Sequence, residues 1–339
     1  MSSKATIILG IETSCDDTSA AVLRNYSVLS NVTANQLIHE RYGGVVPELA
    51  SRSHQENIVQ VIDAAIIKAK IALGEIDAVA FTQGPGLMGS LLVGASFAKT
   101  FALAREIPLI AVHHMKAHIL AHFIEDAGNQ KPEFPFLCLT VSGGHTQIVQ
   151  VNGPNEMEVI GKTIDDAAGE AFDKAAKMLG LSYPGGPLID KFAKIGNPNA
   201  FQFSKPKIDG LNFSFSGLKT SILYFLNSEL KKTPEFIEEN LFDLCASIQQ
   251  VIVDILIDKI KKASKLTGIT RIAISGGVSA NSGLRDALEL LKIEGFDTFI
   301  PKFEYCTDNA AMIAVAGKFL HERKIFANQS ITANAKLIW

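Results

Sequence analysis

Short unbroken apolar runs alternate along this chain with longer stretches whose apolar residues recur at helical spacing, the signature of an α/β protein. ATIILGI (5–11) and SAAVL (19–23) read as strands joined by the polar turn TSCDDT. HQENIVQVIDAAIIKAKIAL (54–73) gathers its apolar positions on one helical face. DAVAFTQ (77–83) is a short buried strand, and GPGLMG leads from it into a helix beginning at Leu87. IPLIAV (107–112) is a further strand that ends at a cluster of histidines. After Pro132 and Pro135 the design starts again, with FLCLTVSGG (136–144) and TQIVQV (146–151) repeating the order strand, polar turn, strand. Helices are predicted at 165–180, 216–227 and 239–265, then a strand RIAISGG (271–277), a helix from Ser282, a short strand TFIP (298–301) and a helix from Asn309 to about Arg323. The likeness of 5–23 to 136–151 predicts two related lobes with a cleft between them.

Three of these strands end in polar or glycine-rich turns: ETSCDDTS (12–19), VSGGHTQ (141–147) and ISGGVSAN (274–281). Glycine lets backbone amides approach phosphate oxygens without a side chain in the way. One SGG turn is common in ordinary hairpins, whereas two at the ends of apolar strands point to a nucleotide. No GxxxxGK[ST] loop is present, and no GxGxxG follows a strand, so a P-loop ATPase and a dinucleotide fold are disfavoured.

At 339 residues the chain exceeds one ordinary core, which agrees with two lobes. Its net charge of −3, from 32 Lys+Arg against 35 Asp+Glu, argues against a free-standing nucleic-acid binder. Local basic patches remain as candidates: Lys205 to Lys207, Lys231–Lys232, and Lys259, Lys261, Lys262 and Lys265, for each of which a solvated face is the ordinary explanation. Cys15, Cys138, Cys245 and Cys306 form no CxxC pair, which disfavours finger-type zinc and a disulfide framework. The longest apolar stretch, Leu87 to Ala104, is interrupted by glycines, serines, Lys99 and Thr100 and reads as a core helix, not a membrane span. A strand beginning at Thr6 leaves no room for a signal or transit peptide, and the expected address is the cytoplasm.

HHMKAHILAH (113–122) holds four of the eight histidines. His114 and His118 are one helical turn apart and can chelate a single cation, with His122 extending the row and His113 pointing away. Asp308, in CTDN at a helix start, is a candidate third ligand; capping that helix is its ordinary alternative role. A zincin protease needs HExxH, and the residue after His114 is Met115, so no carboxylate stands ready to activate water.

GIETSCDDTSAAV, YGGVVPELASRSH, GPGLMGSLLVGASFAK, HHMKAH, VSGGHTQ, IDDAAGEAFDKAAKMLGLSYPGGP, FSFSGLKT, GGVSAN and CTDNAAMIA follow one another in this order. Together they resemble the tRNA adenosine threonylcarbamoyltransferases, formerly described as O-sialoglycoprotein endopeptidases, from about Ile8 to about Gly317. The resemblance implies the two-lobed actin-like ATPase fold of actin, Hsp70 and sugar kinases. On that fold the first lobe would take residues 1–110 with a helix and tail at about 310–339, and the second would take 111–309 with helical insertions. It also implies transfer of a threonylcarbamoyl group from L-threonylcarbamoyl-AMP to the exocyclic amine of the adenosine 3′ of the anticodon, in tRNAs reading ANN codons, giving threonylcarbamoyladenosine.

Residue by residue, the resemblance makes His114, His118 and Asp308 ligands of one divalent ion, iron (Fe2+) or zinc. Thr140, Val141, Ser142, Gly143 and Gly144 match the substrate-binding turn, and Asp173, Gly186, Asp190 and Asn281 match further substrate contacts. Ala117 replaces the family's usual glycine before the second histidine, a change that favours helix. No residue reads as a covalent nucleophile: Cys15 has no histidine near it in sequence, and Asp16 and Asp17 are turn formers that could also orient the reacting groups. The implied partners are tRNA, a separate threonylcarbamoyl-AMP synthase, and, in the bacterial branch, a catalytically inactive paralogue and a small ATPase. The early strand favours that branch over the homodimeric mitochondrial one. A small-molecule kinase and a nucleotide-dependent scaffold on the same fold are the alternatives, with metalloprotease last.

Overall fold

The sheets of this protein are built twice to one plan. The computed structural model describes residues 5–36, 39, 42–126 and 130–339, and its chain divides into two units, Met1–Lys131 with Pro301–Trp339, and Pro132–Ile300. The first unit begins with β1 (Ile7–Glu12), β2 (Thr18–Arg24) and β3 (Ser27–Ala34), an antiparallel meander. Helix α1 (Pro47–Ala69) follows, then β4 (Ala78–Gly84), α2 (Met88–Arg105), β5 (Leu109–His113) and α3 (His114–Leu120). β4 pairs in parallel with β1, and β5 with β4, giving the order β3-β2-β1-β4-β5. All six residues of β1 are buried, as expected of a central strand covered on both faces, so its pattern is continuous and not alternating. On α1 the buried positions Ala50, His54, Ile58, Val61, Ile62, Ala65 and Ile66 recur at three- and four-residue spacing against that sheet.

The second unit repeats the plan with β6 (Phe136–Val141), β7 (Thr146–Gly153) and β8 (Glu156–Lys162). Then come α4 (Ala168–Met178), α5 (Gly185–Ala193), α6 (Ser216–Leu230), α7 (Phe236–Glu239) and α8 (Leu241–Thr267). β9 (Arg271–Ser275), α9 (Ser282–Ile293) and β10 (Asp297–Phe299) complete it. The sheet order is β10-β9-β6-β7-β8, with β6–β9 and β9–β10 parallel. This doubled arrangement is that of the actin-like ATPase fold. The stretch Phe236–Thr267, which includes α8, is long and apolar enough to cross a membrane by length and composition, but 61% of its most apolar window is buried inside the structure. Its buried residues, including Ile248, Ile252 and Leu256, belong to the core of this unit.

The chain then returns to the first unit as α10 (Ala310–Glu322), which packs on β1, β2, β4 and α3. The approach to the sheet is close. A Cβ on Gly10 would lie 2.8 Å from the Ala314 nitrogen, and one on Gly317 would lie 2.5 Å from Ala80 Cβ. Beyond α10 the tail runs back along the unit: Ala327 N donates to Leu109 O at 2.8 Å, Lys99 Nζ to Ile331 O at 3.0 Å, and Asn334 N to Gln83 O at 2.8 Å.

The two units divide at Lys131 and Ile300, where the family resemblance places the lobe ends near 110 and 309. The reason is packing: α3 lies against α10, so the histidine segment stays with the first unit. The strands β3 and β8 and the helix α5 are absent from the sequence expectation. β3 and β8 lie at sheet edges with mixed, half-exposed composition, and α5 opens within PGGP, which reads as a turn.

A candidate metal centre and the glycine turns

β5 ends at His113 and α3 begins at His114, so the histidines occupy the point where a buried strand turns into a helix. They are not a wet face: His114 is 8% exposed, His118 1% and His122 0%. α3 stops at Leu120 and a 3-10 turn, Ala121–Phe123, follows, so His122 leaves the row that the sequence predicts for it. The His113 ring packs on Trp339, with centroids 5.3 Å apart.

Asp308 meets the pair. Its Oδ1 lies 3.1 Å from His118 Nε2 and 3.5 Å from His114 Nε2, and one donor atom from each residue falls within 4.8 Å of the others. A cation bonded at about 2.1 Å to each member of a tetrahedral set separates neighbouring donors by about 3.4 Å, so the spacing fits such an ion. Two imidazole nitrogens and a carboxylate oxygen are also a donor set that iron and zinc accept. Asp308 does not cap α10; that is done by Asn309, whose side chain accepts from Met312 N at 3.0 Å.

The turn after β1 is braced from α1 and from the N-terminal end of α2. His54 of α1 and Ser90 of α2 both bond the Cys15 carbonyl, at 3.0 and 2.9 Å, and Leu87 N donates to Ser14 O at 2.7 Å. A Cβ on Gly86 would overlap the Ser14 carbonyl oxygen, which explains the glycine in GPGLMG. Glu12, fully buried, lies 3.1 Å from His114 Nδ1. Burial opposes a charge on His114, yet the carboxylates of Glu12 and Asp308 outweigh it and push its pKa up to about 9. Burial, with Asp16, Asp308 and Glu12 nearby, pushes Asp17 up to about 7. Burial and the neighbouring Asp16 and Asp308 push the Cys15 thiol well above its ordinary value, so it is no thiolate nucleophile.

In the second unit the two SGG turns lie side by side, because Thr140 of β6 pairs with Ser275 of β9 at the carboxyl ends of parallel strands. Such ends are where open α/β sheets bind ligands. Gly276 adopts φ 85 beside Val141, its virtual Cβ 2.5 Å from the Val141 oxygen. Ser142 and His145 close the hairpin, with Ser142 N donating to His145 O at 2.8 Å and His145 N to Ser142 Oγ at 3.1 Å. Gly143 and Gly144 are exposed, and nothing stands within 4 Å of a Cβ built on either, although the Gly143 nitrogen lies against Gly169. Thr140 is buried and engaged with Ser275, 3.1 Å away.

The remaining expected contacts form two local pairs. Asp173 Oδ1 accepts from the amides of Gly185 and Gly186 at 2.9 and 3.1 Å, and burial raises its pKa. The glycine demanded by space is Gly185, whose Cβ would overlap Ala176; at Gly186 a Cβ would meet only Phe172, at 3.7 Å. Asp190 Oδ1 accepts from Ser282 N at 2.9 Å, while the adjoining Asn281 caps α9 and donates to Gln249 at 2.6 Å. Several candidate basic residues are spoken for within their own unit. Lys205 pairs with Asp254 at 2.9 Å, Lys261 with Glu294 at 2.5 Å, and Lys259 donates to the carbonyls of Ile208 and Gly210. Glu12, His54 and Ser90 escape the sequence reading; only Glu12, an acid closing an apolar strand, leaves a signal there.

The profile of the family described as tRNA N6-adenosine threonylcarbamoyltransferase matches residues 27–315. The chain is 63% identical over 337 residues to the protein of that name from Christiangramia forsetii, covering 99% of both chains. It is 61% identical over 334 residues to that of Riemerella anatipestifer, covering 98% of both. Among solved structures, full-length HypF in a phosphate- and nucleotide-bound form shares the fold, with TM-score 0.61 and 15% identity over 95% of this chain and 47% of that one.

Proposed function

The chain belongs to the tRNA N6-adenosine threonylcarbamoyltransferase family, and from that membership we propose that it transfers a threonylcarbamoyl group from L-threonylcarbamoyl-AMP to the exocyclic amine of the adenosine 3′ of the anticodon in tRNAs reading ANN codons. What carries the reading is similarity to these transferases along almost the whole chain. It displaces the kinase, scaffold and protease alternatives.

In the first unit, His114, His118 and Asp308 would hold one divalent ion, iron or zinc, and their donor spacing supports this. Such an ion supplies Lewis-acid polarisation of a carbonyl and orientation of the group that carries it. Three protein ligands leave a position open for substrate. Asp16 and Asp17, in the turn after β1, would help orient the attacking amine or the leaving group.

In the second unit, the exposed glycine turn Gly143–Gly144 suits an anionic leaving group, and the SGG turn Ser275–Gly277 lies next to it. Asp173 and Asp190 each spend Oδ1 on internal bonds, which fixes the carboxylate; Oδ2 of Asp173 is left for a ribose hydroxyl, while Oδ2 of Asp190 faces Lys194 Nζ at 3.6 Å. With Thr140, Val141, Ser142, Gly186 and Asn281 these form the proposed substrate contacts. The acceptor amine attacks the carbamoyl carbon, the bond to the phosphate oxygen breaks, and AMP leaves with that oxygen.

The proposed setting is the cytoplasm, with a separate synthase making the donor and an inactive paralogue and a small ATPase in a bacterial-type complex. Exposed apolar side chains on the packed pair α1 and α2, namely Val59, Ile67, Met88, Leu92 and Leu103, support the paralogue as occupant of that face. The test is reconstitution of the chain with synthase, paralogue, ATPase, threonine, bicarbonate, ATP and tRNA, read by mass spectrometry of nucleosides. Threonylcarbamoyladenosine should appear only when chain and synthase are both present; tRNA left unmodified by the full mixture overturns the reading.

A further inference from the structure

Glu12 closes β1 with a side chain fully shielded from solvent, a costly place for a carboxylate unless its oxygens are engaged. They are. Oε1 accepts from Ser14 N, and Oε2 accepts from Thr82 Oγ1 on the neighbouring strand β4. That same Oε2 lies 3.1 Å from His114 Nδ1, while Ser14 Oγ lies 3.2 Å from the same nitrogen. A ring that gives its Nδ1 proton to Glu12 carries its lone pair on Nε2, the atom turned to Asp308. His118 has no counterpart of this acid, since its Nδ1 has no hydrogen-bond partner among the described residues.

We infer that Glu12 is a positioning residue for the centre: held by Thr82 and Ser14, it fixes the tautomer and rotation of His114 so that Nε2 is presented to the cation. The inference rests on reading His114, His118 and Asp308 as a cation site. It assigns the Nδ1 of one imidazole to an acid from a different strand and leaves the Nδ1 of the other without a hydrogen-bond partner among the described residues. Thr82, far from the histidines in sequence, becomes part of the same relay through its hydroxyl.

The test measures Zn2+ affinity by competition with a chromophoric chelator, together with the ligand-field spectrum of the Co2+-loaded protein and the melting temperature without cation. Glu12→Gln should melt close to wild type, bind Zn2+ roughly 10–100-fold more weakly and shift the Co2+ bands. Thr82→Val should move affinity the same way by a smaller factor. Wild-type affinity in Glu12→Gln overturns the inference, and if that variant does not fold, wild-type affinity in Thr82→Val does so. His118→Ala separates the premise from the inference: if it too binds Zn2+ as tightly as wild type, the cation site itself is refuted.

Discussion

Asn309 caps helix α10, and by doing so it releases Asp308, its neighbour, to lie 3.1 Å from His118 Nε2. Two adjacent acceptors thus divide two tasks, and substitutions should separate them. Asp308→Asn should keep its melting temperature without cation and lose Zn2+ binding and transfer. Asn309→Ala should lose about 1 kcal/mol of stability and keep Zn2+. Denaturant unfolding beside metal analysis checks both, and metal loss in Asn309→Ala at full stability would contradict the division.

Gly86 governs the turn at one remove. Its virtual Cβ lies 2.8 Å from Ser14 Cβ and overlaps the carbonyl oxygen, so Gly86→Ala must displace the segment that carries Glu12 and Cys15. We expect a loss of about 1–3 kcal/mol, as for other overpacked sites. Zn2+ affinity should fall with it. A crystal structure of the variant with Ser14 unmoved would refute this.

Folding raises the Asp17 pKa from 3.8 to about 7, so the folded state binds this proton more tightly than the unfolded chain does. Stability of the cation-free protein should therefore decline as pH rises through that interval. The difference in melting temperature between Asp17→Asn and wild type should grow in favour of the variant from pH 4 to pH 8 in a chelator. Zn2+ should shrink it, because a nearby dication favours the carboxylate. A difference that stays constant with pH counts against the assignment.

At Asp173, the acceptor and the charge can be told apart. Asp173→Ala orphans the amides of Gly185 and Gly186 and should cost about 1–3 kcal/mol. Asp173→Asn keeps the acceptor, should melt near wild type, and should raise KM for the threonylcarbamoyl donor if the free oxygen holds substrate. An unchanged KM would remove Asp173 from the contacts.

Much of this was legible in the residues themselves. The apolar runs locate eight of the ten strands among the described residues, whereas β3 and β8 are half-exposed along most of their length and carry no continuous apolar run. The spacing of His114 and His118 marks a pair able to share one cation, but Asp308 comes to them only through α10, and no local pattern reports that contact. Glu12 is visible as an acid where a strand should stay apolar, yet its distance from His114 depends on the order β1-β4-β5. His122 fails the helical expectation because α3 tightens into a 3-10 turn before reaching it.

The first unit is discontinuous in sequence, with Pro132–Ile300 inserted before its last segment. On a translating ribosome the two histidines emerge well ahead of Asp308, by roughly 10–40 s at ordinary elongation rates. Until Pro301–Trp339 arrives, β1 and β4 lack the helix that covers them, and His114 and His118 lack Asp308. The proposed cation site would therefore be completed only at the end of synthesis, once the inserted unit has emerged and the last segment has returned to the first sheet.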